Sequence, residues 1–216
     1  MKYLIDTYGS HPAFYRRVHK GRDLPVIYIY DSYLVKSKHW ASVLKGPNSV
    51  RRTRYDAVFV GLLVEQKDKT EIIRSGFDGF YTYFASNVFT FGSKLQNWKG
   101  LAKTALHENL LFIPSVGPGY VDDRIRPWNG GNTRARKNGR YYDVSFKTAV
   151  DVKPEIVSIT SFNEWHEGTQ IERAMPYQWG NYTYTDYRPE SPGYYLALTR
   201  HWAETLARSS VRWKGE

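Results

Sequence analysis

Apolar runs of strand length recur along the chain, separated by stretches whose apolar residues fall at helical spacing. Val26-Ile-Tyr-Ile-Tyr30 is β-branched and aromatic, and Asp31-Ser32 ends it. Ala57-Val-Phe-Val-Gly-Leu-Leu-Val64 is almost continuously apolar, as a strand buried on both faces should be. Gly79 to Phe84, Leu110 to Val116 and Ile156 to Phe162 complete five predicted strands. Helices are predicted over Lys36–Leu44, Lys69–Ser75, Trp98–Asn109, Val144–Val152 and Gly193–Arg208. In the fourth, Pro154 supplies the stop; in the third, Leu101, Ala102, Ala105 and Leu106 form the expected stripe, with Asn109 as C-cap. The last helix presents Leu196, Trp202, Ala203 and Leu206.

Strand and helix alternating five times predicts an α/β fold with a parallel sheet, either doubly wound or a (β/α)8 TIM-type barrel. No Gly-x-Gly-x-x-Gly follows the first strand, so a dinucleotide fold has no local support. Polar and aromatic residues instead collect after the strand ends, where barrel enzymes keep their chemistry. A closed barrel needs eight such units, and five are present. No second domain is indicated.

Composition changes this picture little. A hydrophobic fraction of 41% against 24% charged is globular. The 18 Tyr, 10 Phe and 7 Trp exceed what packing requires and suit stacking on sugars or bases. The net charge of +10 raises a polyanionic partner, but its densest run, Arg124 to Arg140, is broken by glycine and proline and reads as a solvated loop. No nucleic-acid-binding signature accompanies it. The chain has no cysteine, no apolar run of membrane-spanning length and no signal-peptide pattern. Asn181-Tyr-Thr183 is a glycosylation sequon.

The chemistry concentrates in Asn163-Glu-Trp-His-Glu167, directly after the fifth strand. Glu164 and Glu167 would point to opposite faces of a continuing strand. They can serve one cavity only if the backbone leaves strand geometry, which Gly168 permits. Two such carboxyls suit glycosidic cleavage, and their mutual repulsion would favour a proton held by one of them. From spacing alone, a pair of surface carboxylates is the competing reading. A zinc-protease reading of His166-Glu167 fails because the fifth position is Gln170 rather than histidine, and no other ligand spacing occurs.

Ile159-Thr-Ser-Phe-Asn-Glu-Trp-His-Glu-Gly-Thr-Gln-Ile-Glu172 strongly resembles the endo-α-1,2-mannosidase family, glycoside hydrolase family 99. Tyr28-Ile-Tyr-Asp-Ser-Tyr33, Gly76-Phe-Asp-Gly-Phe-Tyr-Thr-Tyr-Phe-Ala-Ser-Asn87, Ile113-Pro-Ser-Val-Gly-Pro-Gly-Tyr120 and Ile125-Arg-Pro-Trp-Asn129 resemble it too, in the same order. The similarity runs from about His11 to Arg208, within a single catalytic domain spanning residues 1–216.

The resemblance implies a (β/α)8 barrel that cleaves internal α-1,2-mannosidic bonds of N-linked glycans with retention, using neither cofactor nor metal. It implies that Glu164 takes the proton of the substrate's 2-hydroxyl, which then attacks the anomeric carbon, and that Glu167 protonates the leaving oxygen. Tyr81 and Tyr83, on one strand face, Trp128 and Asn129, in a substrate loop, and Asn163 and His166, beside the glutamates, are the implied substrate contacts. The setting implied is the Golgi lumen, with a membrane anchor in longer animal relatives and no membrane contact from this segment. The partner implied is an oligosaccharide, not nucleic acid; the oligomeric state is not indicated. Only the last five βα units are expected here, giving a truncated form inactive by itself. The competing class is a non-catalytic, basic, aromatic-rich module that binds carbohydrate or nucleic acid, with Arg134, Arg136 and Lys137 as its contacts.

Overall fold

The computed structural model describes residues 1–121, 123 and 126–213, excepting the side chains of 129–131 and 210–213. In order, the elements are α1 (Lys2–Tyr8), β1 (Arg16–His19), β2 (Arg22–Ile29), α2 (Ser37–Leu44), β3 (Val58–Leu62), α3 (Asp68–Ser75) and β4 (Gly79–Tyr81). There follow α4 (Trp98–His107), β5 (Leu111–Ile113), β6 (Ser115–Val116), α5 (Arg140–Asp151), β7 (Ser158–Ile159), β8 (Tyr177–Trp179), β9 (Tyr182–Tyr184) and α6 (Tyr194–Trp213). The chain divides into two compact units, residues 1–81 with 103–112 and residues 82–102 with 113–216.

The first unit is built on a sheet of order β1-β2-β3-β4-β5. Strand β2 runs parallel to β3 with Val26 opposite Val58, and β3 runs parallel to β4 with Val60 opposite Gly79. Val58, Phe59, Val60 and Leu62 are completely buried, which is why this stretch reads as unbroken apolar sequence. A helix after each of β2, β3 and β4 gives the βα repeat, and the arrangement fits a partial TIM barrel. Strand β1 was not expected. Arg16 to His19 carries no apolar alternation because it is an edge strand, paired antiparallel with β2 through the Lys20-Gly21 turn.

At the N-terminal ends of β3 and β4 lies a buried ion network. The Asp78 carboxylate accepts hydrogen bonds from the Phe59 amide (3.0 Å) and His19 (3.1 Å), and pairs with Arg51 at 2.8 Å. Asp56 pairs with Arg22 (2.5 Å) and Arg51 (3.3 Å) and accepts from the Arg52 and Ala57 amides. In a barrel this end of the strands carries stability rather than chemistry.

In the second unit β6 and β7 run parallel, Ser115 opposite Ser158, and β8 and β9 form a hairpin. The predicted strand from Leu110 to Val116 divides into β5 and β6 at Pro114, which has no amide to donate to a ladder. The strand predicted to reach Phe162 pairs only at Ser158–Ile159. Helices α5 and α6 pack through aromatic rings: Tyr142 meets Tyr195 at 5.6 Å, and Phe146, edge-on to Tyr142 within α5 at 4.8 Å, stacks on Trp202 at 5.8 Å. Tyr142 also shares a 2.9 Å hydrogen bond with Thr199.

Two predicted apolar stripes need correction. In α6 Leu196 and Ala203 are exposed, and the inward side carries Tyr195, Thr199 and Trp202. In α4 Leu101 and Ala105 are buried, whereas Leu106 is exposed. Among the described residues, no helix is long and apolar enough to cross a membrane.

Candidate active site

Beyond β7 the chain enters a loop closed at its neck by Ser161 and Thr169. The Ser161 amide donates to the Thr169 carbonyl (3.0 Å), and the two hydroxyls meet at 2.8 Å. Inside the neck the Thr169 amide donates to the Glu164 carbonyl (3.1 Å), and the Glu164 amide donates to the Ser161 hydroxyl (2.9 Å). Gly168 has φ 60°, a left-handed turn that an L side chain resists. The backbone therefore leaves strand geometry between the two glutamates, and Asn163, Glu164, His166 and Glu167 all belong to this one loop.

The glutamates differ in their surroundings. Glu164 is exposed, and its Oε1 accepts the His166 amide at 3.2 Å. Glu167 is less exposed, and its Oε1 receives the Arg126 guanidinium at 2.9 Å. The Glu167 carbonyl accepts the Val121 amide at 2.8 Å, tying the loop to the Gly-Pro-Gly-Tyr120 segment. Gly117 lets that segment run close to Ala85 and Thr160: a Cβ there would lie 2.4 Å from the Ala85 Cβ and 3.0 Å from the Thr160 carbonyl oxygen.

Tyr83 belongs to the same unit. Its amide donates to the Ser115 hydroxyl (2.7 Å), and its carbonyl accepts the Thr160 hydroxyl. With φ 58° it lies in the left-handed region, uncommon for an aromatic residue and frequent at functional sites. This corrects the expected shared strand face of Tyr81 and Tyr83: β4 ends at Tyr81, and the positive φ breaks the alternation. Tyr81 belongs to the first unit, buried edge-on against Tyr28 at 5.2 Å. Trp128 lies in a 3-10 segment and is 78% exposed, while the Asn129 side chain lies outside the described residues.

Further residues of the site were not anticipated. Arg126, read as part of a solvated basic loop, is the partner of Glu167. Its membership of the Ile125-Arg-Pro-Trp-Asn129 motif was the available signal, although Arg124 and Ile125 lie outside the described residues. Arg136 donates through Nη2 to the carbonyls of Gly168 (2.9 Å) and Gln170 (2.7 Å). Its guanidinium lies over the rings of Tyr195 (4.6 Å) and Tyr187 (5.1 Å). The Tyr187 hydroxyl donates to the Glu172 carbonyl (2.6 Å) and the Gln170 carbonyl (3.1 Å). Burial pushes its pKa up to about 12, so it stays a donor. Arg134 donates to the Asn87 side chain (2.8 Å) and the Thr133 carbonyl (2.7 Å). Two of the three basic residues available to a polyanion are thus committed to internal carbonyls and amides.

Trp165 donates its indole N–H to Glu172 (2.5 Å), and Tyr184 meets His166 Nδ1 at 3.3 Å, so both flanking side chains are also fixed. Two surface cavities of the first unit, of about 780 and 530 Å³, are lined by the residues around His11 and Asp56 and around His19 and Asp78; neither includes a motif glutamate. Among the described residues, no group of three or more His, Asp or Glu could hold a metal ion.

The sequence model described as glycosyl hydrolase family 99 matches residues 1–208. The human glycoprotein endo-alpha-1,2-mannosidase-like protein is 56% identical over 216 residues, covering 99% of this chain and 47% of that protein. The rat glycoprotein endo-alpha-1,2-mannosidase is 54% identical over 214 residues, covering 98% of this chain and 46% of its own. The chain thus spans about half the length of the curated relatives it matches. The structure of the GH99 endo-alpha-mannosidase from Bacteroides thetaiotaomicron superposes with a TM-score of 0.90 at 48% identity, over 96% of this chain and 60% of that one.

Proposed function

Because the chain belongs to glycosyl hydrolase family 99, we propose that its 160–170 loop performs the acid and base chemistry of a retaining endo-α-1,2-mannosidase. The substrate in this reading is a glucosylated or bare α-1,2-mannosyl arm of an N-linked glycan, met in the Golgi lumen. Residues 1–216 then form one part of a catalytic domain and supply the last five βα units of its (β/α)8 barrel.

Glu164, as carboxylate, removes the proton from the 2-hydroxyl of the mannose being cleaved. That oxygen attacks the anomeric carbon and forms a 1,2-anhydro sugar as the glycosidic C–O bond breaks. Glu167 gives its proton to the departing oxygen, and Arg126 is already in place beside the carboxylate that results. Water then attacks the anomeric carbon, losing its proton to Glu167, while Glu164 returns its proton to O2. Two displacements at one carbon retain its configuration. Tyr83, Tyr81, Trp128, Asn129, Asn163 and His166 are the substrate contacts in this reading.

The observation that carries the proposal is the pinched loop itself: one hydrogen-bonded neck presents both glutamates, one exposed and one beside an arginine. The binding-module alternative is not favoured, since Arg134 and Arg136 are engaged internally. The test uses a chimera in which this 216-residue stretch replaces its counterpart in a full-length relative. On an α-mannosyl fluoride bearing the preferred second sugar, whose leaving group needs no proton, Glu167→Gln should retain the fluoride-release step. Glu164→Gln should lose it. Equal loss in both variants would overturn the division of roles.

A further inference from the structure

The β8–β9 hairpin is an aromatic surface that the acid and base chemistry does not use. In its register Tyr177 faces Tyr184 and Trp179 faces Tyr182, so all four rings project from one side, while Gln178 and Thr183 occupy the other. The turn is Gly180-Asn181, with Gly180 at φ 56° in the first central position, where a II′ hairpin places glycine. An isolated two-stranded hairpin is marginal in water and gains nothing by exposing rings. Yet Trp179 is 63%, Tyr177 59% and Tyr182 42% exposed.

The ring face adjoins the catalytic loop. Tyr184, its innermost member, packs against Tyr177 (6.0 Å), meets the ring of Trp165 (6.3 Å) and reaches His166 Nδ1 with its hydroxyl (3.3 Å). The row therefore begins at a residue between the two glutamates and runs outward to Trp179. Its chemistry restricts what it can hold. The chain carries net charge +10, but residues 175–185 contain no charged side chain. A polyanion or a charge-steered partner would find nothing there to pair with. Flat rings carrying hydroxyl and indole N–H groups suit the C–H faces and hydroxyls of a neutral sugar.

We infer that this hairpin is an extended carbohydrate-binding platform, on which sugar residues of a neutral oligosaccharide beyond those at the cleaved bond stack on Tyr177, Trp179 and Tyr182. It rests on the reading of the 160–170 loop as a glycosidase site and adds to it a source of length preference. A sugar chain held at Glu164 and Glu167 passes Tyr184 and continues along the rings, so binding energy from remote residues steadies the reacting ones.

The experiment titrates the 216-residue chain with α-1,2-mannobiose and with linear α-1,2-mannotetraose, by calorimetry and by Trp fluorescence. The wild-type chain should bind the tetrasaccharide about tenfold or more tightly than the disaccharide, which corresponds to about 1.4 kcal/mol. Trp179→Ala with Tyr182→Ala should reduce tetrasaccharide affinity to that of the disaccharide and leave disaccharide binding unchanged, with an unaltered circular dichroism spectrum. Binding of the disaccharide with no gain for the tetrasaccharide, or an undiminished gain in the variant, overturns the platform alone. Failure of a folded wild-type chain to bind either sugar overturns the platform, whereas the glycosidase reading stands or falls with cleavage by the chimera. A monomer that the variant obtains from a wild-type dimer, with sugar binding unchanged, assigns the rings to self-association and also overturns it.

Discussion

The Arg126 guanidinium lies 2.9 Å from Glu167 Oε1, whereas Glu164, three residues earlier in the same loop, receives a backbone amide. A group that alternates between acid and carboxylate gains from a fixed cation beside it when the charge develops. A hydrogen bond to a charged group is worth about 1.5–3 kcal/mol. Arg126→Gln in the chimera should therefore lower kcat by about 10- to 100-fold, with KM changed less. Steady-state kinetics on an α-1,2-linked oligosaccharide checks this, and a loss confined to KM would assign Arg126 to binding alone.

Arg136 fixes the far side of the loop through two carbonyls and two aromatic rings. Lysine keeps the charge but not the planar, ring-stacked guanidinium. Arg136→Lys should accelerate amide exchange at Thr169 and Ile171 and lower stability by about 2 kcal/mol. Unchanged exchange at those two amides would show that the neck holds the loop without it.

At the N-terminal ends of β3 and β4, Asp78 is buried against Arg51. Removing one partner leaves a charge with its desolvation uncompensated, at a cost of about 3–5 kcal/mol. Asp78→Ala should shift the urea midpoint accordingly, and Asp78→Asn should shift it less because it retains hydrogen-bonding capacity. A negligible shift for Asp78→Asn, which deletes the charge alone, would mean that charge pairing contributes little here.

Tyr187 supplies a pH dependence. Its pKa is pushed up to about 12, chiefly by burial, with Tyr195 and Glu172 adding and Arg136 opposing. A phenol whose folded pKa exceeds the unfolded value of about 10 keeps its proton where the unfolded chain has lost it. Its contribution is complete below about pH 10 and declines as pH rises toward 12. Wild-type stability should consequently fall more steeply than that of Tyr187→Phe above about pH 10, in urea melts at matched salt. Parallel curves would contradict this.

The sequence reveals the βα alternation because Val58–Leu62 is buried on both faces and leaves an unambiguous apolar run. It does not reveal β1, since an edge strand needs no apolar side. The inward stripe of α6 escapes it for a different reason: Tyr195 and Thr199 bury hydroxyl-bearing side chains, and Thr199 does so on a hydrogen bond to Tyr142. The spacing of Glu164 and Glu167 is legible, but their common loop depends on Ser161 meeting Thr169, which only the folded neck displays. Arg126 and Arg136 look like solvated charge because a basic, glycine-rich loop carries no sign of the carboxylate and carbonyls it will meet. The four-ring face of the hairpin requires the strand register, since Trp179 and Tyr182 are three apart in sequence and opposite in space.

The central claim is that Glu164 and Glu167 of this chain carry the proton transfers of α-1,2-mannoside cleavage. Its most direct test is hydrolysis of an internal α-1,2-mannosidic bond by the chimera, with the product anomer followed by proton NMR. The unsubstituted chimera should release product with retained configuration, and Glu164→Gln or Glu167→Gln should each lower its rate by about 10²- to 10⁴-fold without loss of folding. A folded chimera that fails to cleave the bond its parent cleaves, or whose rate survives either substitution, would contradict the claim.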